Sequence, residues 1–172
     1  HTSSEWRFLP ASAPAGSFQM IAAREKEQQY DVEHRGDLFY IRTNDAGCRN
    51  FRVVTAPVSG PDRTSWKEIV PCRENVMISR MDLFAGHAVY MEREQGLPRI
   101  SVTNLATGAS HRVDFPEPAY AVNAEQNEDF GATKFRFVYQ SLTTPSTVYD
   151  YDLESREREI MKRTEVLGDY DP

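Results

Sequence analysis

Four histidines, two cysteines and a dense set of carboxylates are the residues of this chain that could do chemistry. His1 is terminal, His34 and His87 fall at hairpin turns, and His111 falls on an edge strand, so each reads as an exposed or turn residue rather than as a base beside a nucleophile. No G-x-S-x-G nucleophile elbow, H-E-x-x-H pair, paired-ligand spacing or phosphate-cradling glycine loop occurs. The expectation is therefore no catalytic, no cofactor-binding and no metal-ligating residue, and no cofactor. Asp150 and Asp152, two apart on a strand, share one face and could hold a cation or a basic peptide. Their alternation with Tyr149 and Tyr151 reads more simply as a half-solvated outer strand. Glu125, Glu128 and Asp129 make an acidic loop that could lend negative potential to a cavity admitting basic substrates. A loop turned to solvent is the simpler reading. Cys48 and Cys72 are too few and too irregularly placed for a disulfide framework or a zinc site, so two free thiols in a reducing, cytoplasmic compartment are expected.

The elements that would position these residues are strands. With 172 residues the chain is long enough for one ordinary core. No apolar run approaches the length of a membrane span, and the mean hydropathy is −0.60. A net charge of −6 argues against a nucleic-acid or membrane partner, because phosphate affinity comes mainly from clustered lysine and arginine. Trp6, Phe8, Phe18 and Met20 alternate with polar residues as a hairpin broken by Pro10 to Gly16. The turn at Arg35, Gly36 and Asp37 spells an integrin-binding tripeptide, but its setting between two strand patterns favours a plain hairpin turn. Only Ala22–Gln29 has helix-forming composition, and it lacks both an N-cap and an apolar stripe.

Three sets of four strand patterns run one after another, starting near Tyr30, Val76 and Tyr120. A repeat of about 45 residues is the period of propeller blades. The expected fold is all-β, a partial β-propeller with about three and a half blades of four antiparallel strands each. The boundaries read as one fragment over 1–172, with the outer half of a blade at 1–22, blades at 29–71, 76–116 and 120–164, and the start of a linker at 165–172. Closed propellers have about 4 to 8 blades, so the chain is expected to be a piece of something larger whose open edges favour self-association.

The run QSLTTPSTVYDYDLESRERE, from Gln140 to Glu159, is the most distinctive stretch, with EVLGDYDP after it. Together with FYIRTNDAGCRNFRVVTAPV, WKEIVPCRENVMI, RISVTNLATG, DFPEPAY and the opening SEWRFLPA, it resembles the second half of the propeller domain in the oligopeptidase B (protease II) branch of the prolyl oligopeptidase family of serine peptidases. The resemblance implies a seven-bladed propeller that caps an α/β-hydrolase catalytic domain of the same parent chain. It also implies a gating and size-filtering role, in an enzyme that cleaves short peptides after basic residues. The catalytic serine, aspartate and histidine belong to the hydrolase domain, so this stretch by itself would be non-catalytic. An independent propeller-like binding or scaffold module is the alternative. The loop Ser141 to Ser146 reads as a structural element whose Pro145 fixes φ and whose hydroxyls satisfy backbone groups locally.

Overall fold

The computed structural model describes residues 2–166; His1 and the expected linker from Leu167 onward lie outside them. The chain forms two compact units, His1–Ile78 and Ser79–Pro172. In the first, a short hairpin of β1 (Arg7–Phe8) and β2 (Gln19–Met20) precedes a four-stranded meander of β3 (Tyr30–Arg35), β4 (Leu38–Thr43), β5 (Arg52–Pro57) and β6 (Lys67–Val70). Tyr30 joins hairpin to meander. It is buried, and its hydroxyl accepts from the amides of Trp6 at 2.9 Å and Ala22 at 3.2 Å while donating to the Ala22 carbonyl at 2.6 Å. Around it, Ile21, Ala22, Phe39, Ile41, Val54 and Ala56 form a core, with the Phe8 and Phe39 rings edge to face at 4.9 Å. The segment 22–29 between β2 and β3 is not helical, and its Glu27 sits at φ 63°.

Four more strands make a second meander: β7 (Val76–Leu83), whose first residues belong to the first unit, then β8 (His87–Glu94), β9 (Leu97–Asn104) and β10 (Ser110–Arg112). The turn from β8 to β9 needs two left-handed residues, supplied by Gln95 at φ 52° and Gly96 at φ 84°. Strand β8 is buried over its first six residues, His87 to Glu92. The last meander runs through β11 (Tyr120–Ala124), β12 (Lys134–Ser141), β13 (Thr147–Asp152) and β14 (Arg158–Arg163). Alternation is plainest in β12, where Phe135, Phe137 and Tyr139 point inward. These rings meet Phe84, Val89, Met91, Ile100 and Val102, so one core fills the space between the facing sides of these two sheets. The architecture is thus three four-stranded antiparallel sheets and a two-stranded one, with a single 3₁₀ turn at Arg63–Ser65 among the described residues, as expected of propeller blades.

Two expectations need correction. Cys48 and Cys72 are not free thiols but a disulfide, with Cα atoms 5.7 Å apart. Their irregular spacing of 24 residues hides the reason, which is strand register. Because β6 runs antiparallel to β5 with Val70 opposite Val53, the end of β6 returns to the corner where the β4–β5 loop enters β5. Cys48 sits in that loop and Cys72 just past β6. The second correction concerns β13, which is not an outer strand: it lies between β12 and β14, and Tyr151 on it is buried.

Candidate functional site

The histidines are held by structural partners. His34 tilts against the Phe39 ring at 5.6 Å in the exposed part of β3. His87, expected to be an exposed turn residue, is instead buried at the start of β8, its Nε2 facing the Asn104 amide and the Glu154 carboxylate, each at 3.4 Å. Placing Phe84 and Val89 in the core on either side draws that turn inward. His111, on the edge strand β10, pairs its Nε2 with the Tyr151 hydroxyl at 2.8 Å. Burial lowers the pKa of His111, with Arg156 and His87 adding to the effect. An amide and a carboxylate face His87, and a phenol faces His111. Among the described residues no group of three or more histidine, cysteine or carboxylate side chains could hold a metal ion.

Asp150 and Asp152 are already engaged. Arg136 stands directly opposite Asp150 across β12 and β13 and grips it bidentately, Nε to Oδ1 at 2.7 Å and Nη2 to Oδ2 at 2.8 Å. That guanidinium holds the Asp150 carboxyl below its ordinary range. Asp152 accepts the amides of Ser155 at 2.7 Å and Glu154 at 3.0 Å, closing the turn into β14, and its pKa falls for that reason. Lys134 pairs with Glu159 at 2.8 Å on the same face. The acidic loop is exposed at Glu125, Glu128 and Asp129, where Asp129 accepts the Gly131 amide at 2.8 Å.

The most organised polar cluster lies elsewhere, around Glu117. Phe115 stacks on Tyr139 with ring centroids 5.1 Å apart and also meets Tyr120 and Phe137, which fixes the segment that carries Glu117. Pro116 and Pro118 restrict the backbone on either side. The Glu117 carboxylate accepts from Ser141 at 2.9 Å, Thr144 at 2.5 Å, Thr143 at 3.4 Å and the Tyr139 hydroxyl. Ser141 in turn accepts the amides of Thr143 at 3.1 Å and Thr144 at 2.9 Å. Ser141 therefore does satisfy the backbone locally, as the sequence suggested, whereas Thr143 and Thr144 turn their hydroxyls to a carboxylate from another segment. These bonds tie the loop to the segment that carries Glu117. At its tip stands Leu142, 97 % exposed and flanked by two shallow depressions. One is lined by Ala119, Tyr120, Ala121 and Gln140, the other by Thr143, Thr144, Pro145 and Val166.

Glu117 and Leu142 were not singled out from the sequence. The available signal was a carboxylate locked between two prolines, and a loop with more hydroxyls than local backbone groups need. The hydroxyls of Thr144 and Tyr139 lower the Glu117 pKa from 4.5 to about 2. A depressed folded-state pKa means stability that is fully present above 4.5 and lost as the pH falls through about 2. Protection of the Thr143 and Thr144 amides from hydrogen exchange should hold at pH 5 and decline across that window, and Glu117→Gln should weaken it already at neutral pH. Equal protection in the two proteins at every pH would refute the clamp.

Comparison with known proteins places this geometry. The family described as prolyl oligopeptidase, N-terminal beta-propeller domain, matches residues 1–164. Dipeptidyl aminopeptidase BI of Pseudoxanthomonas mexicana is 38% identical over 166 residues, which cover 96% of this chain and 23% of that protein. Protease 2 of Moraxella lacunata is 28% identical over 170 residues, covering 99% of this chain and 24% of the relative. Among solved structures, the closed form of oligopeptidase B from Trypanosoma brucei with covalently bound antipain superposes with a TM-score of 0.89 at 30% identity, over 99% of this chain and 25% of that one. The chain thus spans roughly a quarter of the length of these relatives.

Proposed function

Because the chain belongs to the N-terminal β-propeller domain of the prolyl oligopeptidase family of serine peptidases, we propose that it is the gating and size-filtering part of an oligopeptidase that cleaves short peptides after basic residues. The observation that carries this reading is the family match over residues 1–164, joined to a fold made of blade-like sheets. The oligopeptidase B structure and the relative named Protease 2 support the oligopeptidase B-like specificity. Hydrolysis belongs in this reading to an α/β-hydrolase domain elsewhere in the parent, and the 172 residues contribute exclusion rather than bond cleavage. The exposed acidic loop Glu125, Glu128 and Asp129 is the part we assign to attracting basic peptides. Self-association of the isolated piece remains part of this reading, carried by exposed Ile69 on the edge strand β6 and by Ile160 and Met161 on the edge strand β14.

The test is a length series. The parent should hydrolyse short amide substrates with arginine or lysine before the scissile bond, and kcat/KM should collapse once the substrate is a folded protein. Undiminished cleavage of folded proteins would remove the filter, and a parent without peptidase activity would favour the independent binding module. Location is a separate matter. Among the described residues no helix is long and apolar enough to cross a membrane. Cytoplasmic residence rested on free thiols, and a disulfide persists instead in oxidising compartments. Trapping the thiols during isolation of the parent decides this, since alkylated cysteines mark a reducing home and a retained disulfide an oxidising one.

A further inference from the structure

We infer that Asp82 and Arg80 form a pH-sensitive latch on the acidic loop between β11 and β12, holding it at Glu125 while Asp82 is ionised and letting it go when Asp82 takes up a proton. The latch goes beyond the peptidase reading above, and only its consequence for basic peptides rests on that reading.

Arg80 and Asp82 lie two apart on β7, which places them on one face of the strand. Asp82 is only 7% exposed. Arg80 meets it through Nε at 3.1 Å and Nη2 at 2.6 Å, and both bonds end on Oδ1. Oδ2 has no hydrogen-bond partner among the described residues. Arg136, by contrast, faces Asp150 from a neighbouring strand and takes both of its oxygens. A carboxylate buried with one oxygen bare is costly while charged, and a proton relieves it. Burial accordingly raises the pKa of Asp82, and Arg80 opposes that rise without cancelling it.

The same guanidinium reaches the loop. Arg80 Nη2 also donates to the Glu125 carbonyl at 3.3 Å, and further along, in the turn after β7, the Ala85 amide donates to the Phe130 carbonyl at 2.8 Å. The loop is thus fastened at two points, one of which depends on a charge. Between them Asn127 closes the loop on β12, its Nδ2 donating to the carbonyls of Glu125 and Arg136 at 3.0 Å and its Oδ1 accepting the Arg136 amide at 2.7 Å. The Arg80 side chain is 45% exposed, so water takes it up once the charge on Asp82 is gone. The neighbouring charges are engaged elsewhere. Glu125 approaches by its carbonyl, and Glu125, Glu128 and Asp129 are exposed. Arg136 is gripped by Asp150, and on β8 His87 faces Asn104 and Glu154 while Glu92 meets Arg112.

Because the folded pKa is raised, the stability that Asp82 contributes is fully present below 3.8 and is lost as the pH rises through the folded value. Acid therefore acts in opposite directions, stabilising the fold through Asp82 while freeing the loop. An ion pair that merely supports the fold gives the opposite sign for the first effect. In the oligopeptidase proposed above, a freed loop no longer holds its negative charge in one place for a basic peptide.

The experiment follows hydrogen exchange at the amides of Ala85, Glu125 and Arg136 in the full-length protein, corrected for intrinsic pH dependence, together with Tm. Between about pH 7 and about pH 4 the unaltered protein should come to exchange at least about three-fold faster at these sites, the effect of losing a modest hydrogen bond. Asp82→Asn should exchange at the fast rate throughout, with a neutral-pH Tm that is equal or raised. Arg80→Gln, at an exposed side chain, should likewise be fast and indifferent to pH. Exchange in the unaltered protein that stays flat across the range would overturn the latch. So would an Asp82→Asn variant that keeps the pH dependence, which places it on the loop's own carboxylates, or one whose Tm drops by several degrees. Hydrolysis of a basic peptide is read separately: loop release with unchanged kcat/KM supports the latch and refutes the loop's part in attracting peptides, and a pH-indifferent loop with salt-sensitive kcat/KM does the reverse.

Discussion

Phe137→Ala is expected to destabilise the protein by about 3–5 kcal/mol, the range for emptying an aromatic site in a closed core. Phe137 is 0% exposed in the middle of β12. Its ring stacks on Tyr149 across the sheet at 5.6 Å and on Phe135 along the strand at 6.3 Å, and Phe115 meets it edge to face at 5.8 Å. Removing it breaks three aromatic contacts and leaves a void between two sheets whose strands are fixed by their ladders, so collapse around the gap is limited. Folded domains hold together by about 5–15 kcal/mol, so a loss of this size is a large share of the total. Denaturant unfolding should show the midpoint moving down at nearly unchanged slope. A loss under about 1 kcal/mol would mean that the sheets can close over the gap, and that this core is looser than its burial implies.

Removal of the Cys48–Cys72 disulfide is the second large effect. Joining residues 24 apart restricts the unfolded chain, and chain-entropy arithmetic assigns such a loop about 3–4 kcal/mol. The folded corner should keep its shape without the bond. Arg52 bridges Asp45 at 2.8 Å and Glu68 at 3.0 Å there, and the Asn50 side chain donates to the carbonyls of Arg73 at 2.9 Å and Glu74 at 2.6 Å. The pair Cys48→Ser with Cys72→Ser, or simple reduction, should therefore lower Tm by several degrees while far-UV circular dichroism below the transition stays the same. Unaltered Tm under reductant would show that the unfolded state of this segment is already compact, and an altered native spectrum would show that the bond shapes the fold.

Strand content was legible because the patterns are local: alternation in KFRFVY, and the turn residues Gln95 and Gly96, announce themselves within a few positions. Pairings between segments were not. Cys48 and Cys72 meet only through the return of β6 along β5, and Asp150 finds Arg136 only through the β12–β13 register. A reading that sees two carboxylates two apart cannot see the guanidinium fourteen residues away that neutralises one of them. Glu117 is the clearest case. Its partners lie between 22 and 27 positions further on, beyond the strand β11, and no local pattern links them. The family, by contrast, was readable from QSLTTPSTVYDYD because a run of that length carries more information than any periodicity.

The Glu117 cluster also bears on how this stretch can vary. One carboxylate receives the hydroxyls of Tyr139, Ser141, Thr143 and Thr144, so these four positions share a single acceptor. Losing one hydroxyl leaves the others to regroup around the charge, whereas losing the acid strands all of them at once; single and double replacements will not add. Sequence drift here is thus a collective matter. Descendants of this protein should keep Glu117 and its hydroxyl neighbours as a set or exchange them as a set, and position 142, held up by that set, is left to vary with whatever lies against it.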